Sequence, residues 1–313
     1  MNKELEKALY TAGERCKGNI IIDEAGLNCF EEIYPFTTEN IAGYIDYFDL
    51  KDKSLLTVGS SGDQVFNAAL KDVKTVTLLD INHYTKYYYY LKEASILELS
   101  MSEFEQFYQY KSYNDYSIIN PNVFNKTSYN KLKPTLQLLD YDSYLFWDEL
   151  FAKYPPMVVR YHLFNKDDSY QTLENCNLYL QSENAFDEEK EKIKKFRPEF
   201  ITGTVTEASV DKSFDNIWLS NIFCSLLPYE RKLVTDKFSR SLNADGKLLI
   251  SYLYEKCMGT RHVIEASLEL LNEYSPSVYS FGGVEQMKEK TNGSEDAILV
   301  YQKKIRQKAY YGS

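Results

Sequence analysis

The stretch LLTVGSSGDQVFNAAL, residues 55–70, starts as an apolar strand-like segment and ends as an apolar-periodic helical one. Between them lie Gly59, Ser60, Ser61, Gly62 and Asp63. A chain that breaks this sharply from strand to helix presents unpaired backbone N–H groups at the helix start, beside residues too small to block a ligand. Gly59 and Gly62 permit turn dihedrals and close backbone approach, and Ser60 and Ser61 add small hydroxyls. The next strand-like segment, KTVTLLDIN, ends in Asp80, about twenty residues after the first glycine. An acid at the end of a second strand is placed to accept hydrogen bonds from the vicinal hydroxyls of a ribose. The same acid serves equally as a helix N-cap, and the glycines as a tight packing turn; both alternatives stand at this level.

A dinucleotide site would read G-x-G-x-x-G, whereas this turn reads G-S-S-G-D. Asp63 would lie where a pyrophosphate belongs, and an anion beside an anion is unfavourable. A carboxylate there suits a ligand bearing positive charge. S-adenosylmethionine, with an ammonium, a sulfonium and a ribose, fits that description.

The elements that must position these residues follow from periodicity. Charged and amphipathic N-terminal sequence predicts one or two helices, interrupted at Pro35 and the cluster Thr37, Thr38, Glu39 and Asn40. KSLLTVG predicts a strand, Asp63 to about Lys71 a helix, KTVTLLDIN a strand, and HYTKYYYYLKEASILELS a long helix. This is a βαβα unit of the kind that builds a parallel sheet. From about 101 to 195 the pattern turns helical or irregular, too long for a plain loop, and reads as an inserted helical lid. Within it, ENAFDEEKEKIKKF predicts a charged surface helix with Asn184 as N-cap. Strands resume at PEFITGTV, FDNIWLSNIF and ADGKLLISYLY, the last introduced by a turn at Asp245-Gly246. A helix around Arg261 to Asn272, then SVYSFGG and DAILVYQKK, would complete a mixed sheet with antiparallel strands at its end.

With these elements in place, the chain resembles the class I S-adenosylmethionine-dependent methyltransferases. Within them it looks most like the branch holding the 3-amino-3-carboxypropyl transferase of betaine-lipid synthesis and its bacterial relatives. The carrying stretches are LLTVGSSGDQVFNAAL, LLDINHYTKYYYYLKEASI, SMSEFEQFY, NLYLQSENAF, FDNIWLSNIF and YPFTTENIAGYI. The resemblance implies an α/β, Rossmann-like fold with a mostly parallel seven-stranded sheet. An N-terminal helical cap over 1–50 would precede a nucleotide-binding domain over 51–313 with a helical insertion at about 101–195. It also implies site roles. Gly59, Ser60, Ser61 and Gly62 would wrap the methionine and ribose, Asp63 or Gln64 would reach the methionine ammonium, and Asp80 would hold the ribose. Ile81 and Asn82 would border the adenine, and Ser220 and Asn221 would face the sulfonium and the acceptor. Two positions where the family often carries acids are Thr57 and Thr204 here, so no charge carries over to them.

Other side chains have two readings each. His83, directly after the acid strand, is either a helix-start residue or, with Asn221, a candidate catalytic group. Arg160 and His162 either bind an acceptor anion or sit at an ordinary surface helix or strand end. Tyr87 to Tyr90 must cover several faces of their helix and read as packing. Cys224 reads as a small buried residue. Tyr34 and residues 37–40 precede the first strand, where members of the resembled family often close over the cofactor, which implies a ligand contact there.

The 313 residues are 44% hydrophobic and 26% charged with a net charge of -10, which argues against broad binding to nucleic acid or anionic membrane. SNIF lacks both prolines of the Asn-Pro-Pro-Tyr loop of amino-methylating nucleic-acid enzymes. Five scattered cysteines without a CxxC pair, and three histidines, predict neither a disulfide framework nor a metal site. The absence of an apolar leader or of a spanning-length apolar run points to a cytoplasmic protein. The expected activity is methyl transfer from S-adenosylmethionine to a small acceptor that the sequence does not specify. The alternatives are 3-amino-3-carboxypropyl transfer from the same donor, or binding without catalysis. Oligomeric state has no sequence signal.

Overall fold

Strand β1 (Ser54–Val58) is the hinge of the architecture: it pairs in parallel with β2 (Thr75–Asp80) on one side and with β4 (Phe214–Trp218) on the other. The computed structural model describes residues 2–19, 33–37, 39–59, 61–108, 123–164, 176–220, 222–224, 226–251, 274–280 and 297–303. β3 (Glu199–Thr202) lies outside β2, and β5 (Leu242–Ser251) outside β4, both parallel. β7 (Ala297–Lys303) runs antiparallel between β5 and β6 (Tyr274–Ser280), giving the order β3-β2-β1-β4-β5-β7-β6. This is a mostly parallel, Rossmann-like α/β sheet whose order reverses between β1 and β4, the switch point at which such sheets open a crevice.

The period of two along β1 sorts the core into two sides. Leu55 packs with Trp218, Leu249 and Val300 under the helical layer, while Leu56 packs with Leu79, Ile217, Leu248 and Tyr301 on the opposite face. The second face is covered by α10 (Pro228–Arg240), through Val234 and Phe238. On the first face lie α3 (Asp63–Leu70) and α4 (Thr85–Glu98). Against α4 pack α5 (Met101–Tyr108), α6 (Lys126–Leu139) and α7 (Tyr141–Lys153), and α7 in turn meets α8 (Pro156–Leu163). The N-terminal α1 (Lys3–Cys16) lies on α7 and α8, so the two helical segments expected separately from the sequence share one layer.

Helix α4 is buried nearly all round, as its tyrosine run requires. Tyr88 and Tyr89 are fully buried, Tyr87 stacks on Phe146 at 4.5 Å, and Trp147 Nε1 donates to the Tyr87 carbonyl at 2.8 Å. Full burial of one such ring is worth about 1.5–3 kcal/mol, so this cluster is a main source of cohesion.

Two local expectations differ from the structure. α9 (Glu183–Ile193) is capped by Ser182, whose hydroxyl accepts from Ala185 N at 3.1 Å, and not by Asn184. Ser182 holds the extended backbone a cap needs, and Asn184 is already helical. Nor is α9 wholly a surface helix, because Phe186, Glu189 and Ile193 bury one face. Asp245-Gly246 lies inside β5, not ahead of it. Asp245 at φ 60° accommodates the register shift opposite Phe214 and Asn216, which is a bulge within the strand. The helix expected at 261–272 lies outside the described residues. Among the described residues no helix is long and apolar enough to cross a membrane, and no group of three or more His, Cys, Asp or Glu is arranged to hold a metal.

Candidate functional site

The glycine turn closes tightly on the acid strand. Gly59 N donates to the Leu79 carbonyl at 2.9 Å, and Gly62, at φ 78°, donates to the Gly59 carbonyl at 2.9 Å. A Cβ at Gly59 would stand 2.6 Å from Thr85 Cγ2 and 3.0 Å from Asp80 Oδ2, so only glycine lets the end of β1 reach the end of β2. The half-buried Asp80 is fixed by two donors: Asn82 N on Oδ1 at 2.9 Å and the Thr85 hydroxyl on Oδ2 at 2.9 Å. Asp80 therefore does organise the start of α4. Each carboxylate oxygen accepts about two hydrogen bonds, so this role and a ligand-binding one are compatible. Ile81, 36% exposed, and Asn82, nearly buried, follow it on the same rim.

Asp63 does something the sequence did not foretell. Its side chain is wholly buried and ion-paired with Lys92 of α4 at 2.5 Å, Lys92 being equally buried. It also accepts from Thr37 N at 2.5 Å, the Ser61 hydroxyl at 2.9 Å and the Tyr179 hydroxyl at 2.6 Å. The expected contact between Asp63 and a ligand ammonium is thus corrected: the carboxylate is enclosed and neutralised from inside. Ser61, with no exposed surface, is turned into the same cluster. Lys92 in turn donates to the carbonyls of Pro35 at 2.9 Å and Ser61 at 3.3 Å, with Phe36 beneath it at 4.1 Å. Burial pulls its ammonium down to about 8, with the Asp63 charge opposing the shift. Burial likewise holds Tyr179 far above the usual phenol range, so it stays a proton donor. The other candidate at this loop, Gln64, is 1% exposed and its Oε1 has no hydrogen-bond partner.

The segment from Ile33 to Asn40 crosses the crevice as a strap. Tyr88 Oη and Lys92 Nζ, one helical turn apart on α4, both donate to the Pro35 carbonyl, the former at 2.6 Å. Further along, Glu39 N donates to Thr37 Oγ1 at 3.0 Å, and the Glu39 carboxylate accepts from the Ser220 hydroxyl and, at 2.8 Å, from Tyr44 Oη. Tyr44 belongs to the short α2 (Ile41–Tyr44), and its ring stands edge-on to Trp218 at 5.6 Å. Ser220 follows β4 at φ 53°, a costly conformation for a non-glycine residue and one that concentrates at functional sites. Thr57 and Trp218 are register partners, so Gly59 and Ser220 leave the sheet at the same level on either side of the switch point. The strap thus ties the glycine loop, through Asp63, to the end of β4, through Ser220.

The remaining candidates separate. His83 is half-buried with Glu4 and Lys7 of α1 as its charged neighbours, and burial pulls its imidazole below the usual range. Thr57 is buried within β1, and Thr204 shares a hydrogen bond with Thr206 at 2.9 Å. Arg160 and His162 occupy the last turn of α8, matching the helix-end reading. Ser60, Thr38 and Asn221, and the side chain of Cys224, lie outside the described residues. Sequence reasoning named the 37–40 cluster but not Lys92 or Tyr179. The available signal was a Lys-Glu pair embedded in an otherwise apolar and aromatic helix.

No protein-family model matches the chain, and no curated protein sequence does. The chain is similar to several solved structures. One is a TehB-like SAM-dependent methyltransferase from Corynebacterium glutamicum, at 13% identity over 96% of this chain and 98% of that one, with a TM-score of 0.38. Another is the N-methyltransferase NodS from Bradyrhizobium japonicum in complex with S-adenosyl-l-homocysteine, at 8% identity over 97% and 100%, with a TM-score of 0.40. A third is the glycopeptide N-methyltransferase MtfA, complexed with S-adenosyl-L-homocysteine, at 8% identity over 88% and 92%, with a TM-score of 0.41. At these values no residue role is carried over from them.

Proposed function

We propose that this protein is an S-adenosylmethionine-dependent transferase that moves the donor's methyl group to a small acceptor. The observation that carries the reading is the contact between Gly59 and Asp80 at the switch point of the sheet. It puts a fixed, half-buried carboxylate beside a glycine turn whose backbone a ligand can approach closely. Asp80 takes the ribose hydroxyls, Ile81 and Asn82 border the base, and the backbone of Gly59 to Gly62 passes along the methionine arm. The orphaned Gln64 Oε1 is an acceptor waiting for a donor, and an ammonium supplies one.

S-adenosylmethionine brings a carbon already activated on a sulfonium with a neutral leaving group. The chain's own residues have to bind, align and exclude water. The strap over the crevice and the aromatic helical layer behind it suit that work. Ser220, after β4, and Asn221, the next residue in sequence, are the candidates for the acceptor side, while His83 stands beside α1 and is not given the proton-acceptor role. The assignment to the branch with the 3-amino-3-carboxypropyl transferase belongs to the same proposal, since both transfers use one pocket.

Titration calorimetry with S-adenosylmethionine tests the reading: saturable binding with a dissociation constant below about a millimolar is expected. A folded protein showing no heat at that concentration excludes both transfers. With an acceptor in hand, the nucleoside product separates them: S-adenosylhomocysteine for methyl transfer, 5′-methylthioadenosine for the alternative.

A further inference from the structure

We infer that α9 and the turn before it form a latch on the helical layer, held shut by protons on two buried carboxyls, Glu93 of α4 and Glu189 of α9. When these acids ionise the latch lifts, and it takes with it the Tyr179 hydroxyl that Asp63 accepts. The latch stands whatever ligand the crevice takes; only its bearing on donor binding rests on the S-adenosylmethionine reading.

Neither Glu93 nor Glu189 has any exposed surface. Both Glu189 oxygens and Glu93 Oε2 are buried with no hydrogen-bond partner. Glu93 Oε1 accepts from Arg197 at 3.2 Å, but that guanidinium is half in solvent and also donates to the Ile193 and Phe196 carbonyls. The groups facing the pair add little positive charge. From α4 come Tyr89 and Tyr90, and from the preceding turn comes Tyr179, phenols that burial keeps neutral. From α9 itself come the exposed Glu188 and Lys192, and Lys192 is ion-paired with Asp72. Asp63 of α3 is already neutralised by Lys92. An enclosed carboxyl without donors is tolerated as the neutral acid and resisted as the anion. Burial accordingly raises Glu93 to about 8 and holds Glu189 well above the carboxylate range. Docking is therefore fully supported below about 4.5 and loses support as pH rises toward 8.

The element that yields is the thinly anchored one. α9 buries only Phe186 and Ile193 beside Glu189, whereas α4 is buried nearly all round. Gln181 and Ser182 alone separate α9 from the turn Leu178–Leu180, and α9 packs on that turn, on α3 and on α4. The turn is pinned to α3 by Leu178 N on Asn67 Oδ1 and by Tyr179 Oη on Asp63 Oδ1, each at 2.6 Å. Phe104 spans the two, its ring 5.2 Å from Phe186 and 6.4 Å from Tyr179. Lifting α9 thus strips a donor from the ion pair beneath the glycine turn.

Hydrogen–deuterium exchange on the full-length protein tests the latch, with the variant Glu93→Gln, Glu189→Gln as the form that cannot ionise. At about pH 9 the wild-type peptides from α9 and from Leu178–Leu180 should exchange within about tenfold of the unprotected rate. Those from β1 and α10 should stay protected at least a hundredfold, and at about pH 6 all four should be protected. In the variant, α9 and the turn should stay protected at both values. Protection of wild-type α9 at the higher pH overturns the inference, as does equal loss in the variant. Loss spread to β1 and α10 also overturns it, since that is unfolding of the whole sheet. Loss in α9 with the turn still protected severs the link to Asp63 and overturns it too. If the double variant does not fold, Glu189→Gln alone should leave α9 at least threefold better protected than wild type at about pH 9, and equal loss overturns the inference. No ligand enters the measurement, so failure of S-adenosylmethionine binding is a separate result.

Discussion

The Asp63 carboxylate and the Lys92 ammonium meet at 2.5 Å with neither side chain exposed to solvent. Burying two opposite charges is costly, and the cost is offset only when further hydrogen bonds satisfy both groups. Here they do. Thr37, Ser61 and Tyr179 complete the acid, and the Pro35 and Ser61 carbonyls complete the base. Four distant parts of the chain therefore converge on one ion pair directly beneath the glycine turn.

Removing the base alone should leave a buried charge without its counterion. Lys92→Met is expected to lower unfolding free energy by about 3–5 kcal/mol. The double variant Asp63→Asn, Lys92→Met should recover at least half of that loss. Urea unfolding of the three proteins measures both effects, and a single-variant loss under about 1 kcal/mol would show that the pair is not structural.

Gly59→Ala should destabilise through a steric mechanism with an identifiable partner. The new methyl would meet Thr85 Cγ2 at 2.6 Å, so overpacking of about 1–3 kcal/mol is expected. Adding Thr85→Ser removes that methyl and keeps the hydroxyl on Asp80. Partial recovery of the thermal midpoint in the pair, absent in Thr85→Ser alone, is the expected pattern.

Asp80→Asn keeps shape and removes charge. If Asp80 holds the ribose as proposed, affinity for S-adenosylmethionine should fall at least tenfold, because a charged acceptor becomes a neutral one, worth about 1.5–3 kcal/mol. The melting temperature should move by only a few degrees. Unchanged affinity in a folded variant would take the ribose site away from β2.

Two buried carboxyls on facing helices give the protein a distinctive pH response. Burial raises Glu93 on α4 to about 8 despite Arg197, and raises Glu189 on α9 well above the carboxylate range, with the Glu93 charge adding and Lys192 opposing. Both Glu189 oxygens and Glu93 Oε2 are buried with no hydrogen-bond partner. The folded state therefore holds these protons more tightly than the unfolded chain. Their contribution is fully present below about 4.5 and is lost as pH rises toward 8. His83, pulled down by burial, works in the opposite sense near its own range, and the Lys92 window opens only above about 8. The informative quantity is thus the difference between wild type and Glu189→Gln. The variant's stability should decline less steeply between pH 5 and 8, by up to roughly 1.4 kcal/mol per pH unit. Parallel curves for the two proteins would mean that Glu189 is already charged in the fold.

The parts of the molecule legible in the sequence are those governed by short-range patterning. β1, α3, β2 and α4 fall where strand and helix periods place them, because the alternation of Leu55 and Leu56 and the tyrosine run of α4 are read within a few residues. The caps and bulges were harder, since Ser182 and Asn184 are both competent N-caps and only backbone dihedrals choose between them. The meaning of Asp63 was illegible for a different reason. Lys92 stands 29 positions away and Tyr179 stands 116 away, so no local window contains the partners that decide whether the acid faces a ligand or the interior. Glu39 was visible only as one member of a polar cluster, because its hydrogen-bond donor Ser220 lies 181 positions away at the far side of the sheet.

The strap has a consequence for how the protein is made. Residues 33–40 leave the ribosome before any strand of the sheet exists, yet the residue that anchors Glu39 lies 181 positions further on. The most distant anchor of the crevice is thus among the highest contact-order features of the chain, and loop closure of that length forms slowly. A nascent chain stalled before β4 would hold the βαβα half with its strap docked at Lys92 and undocked at Ser220. Completion of the strap is therefore coupled to the arrival of the second half of the sheet.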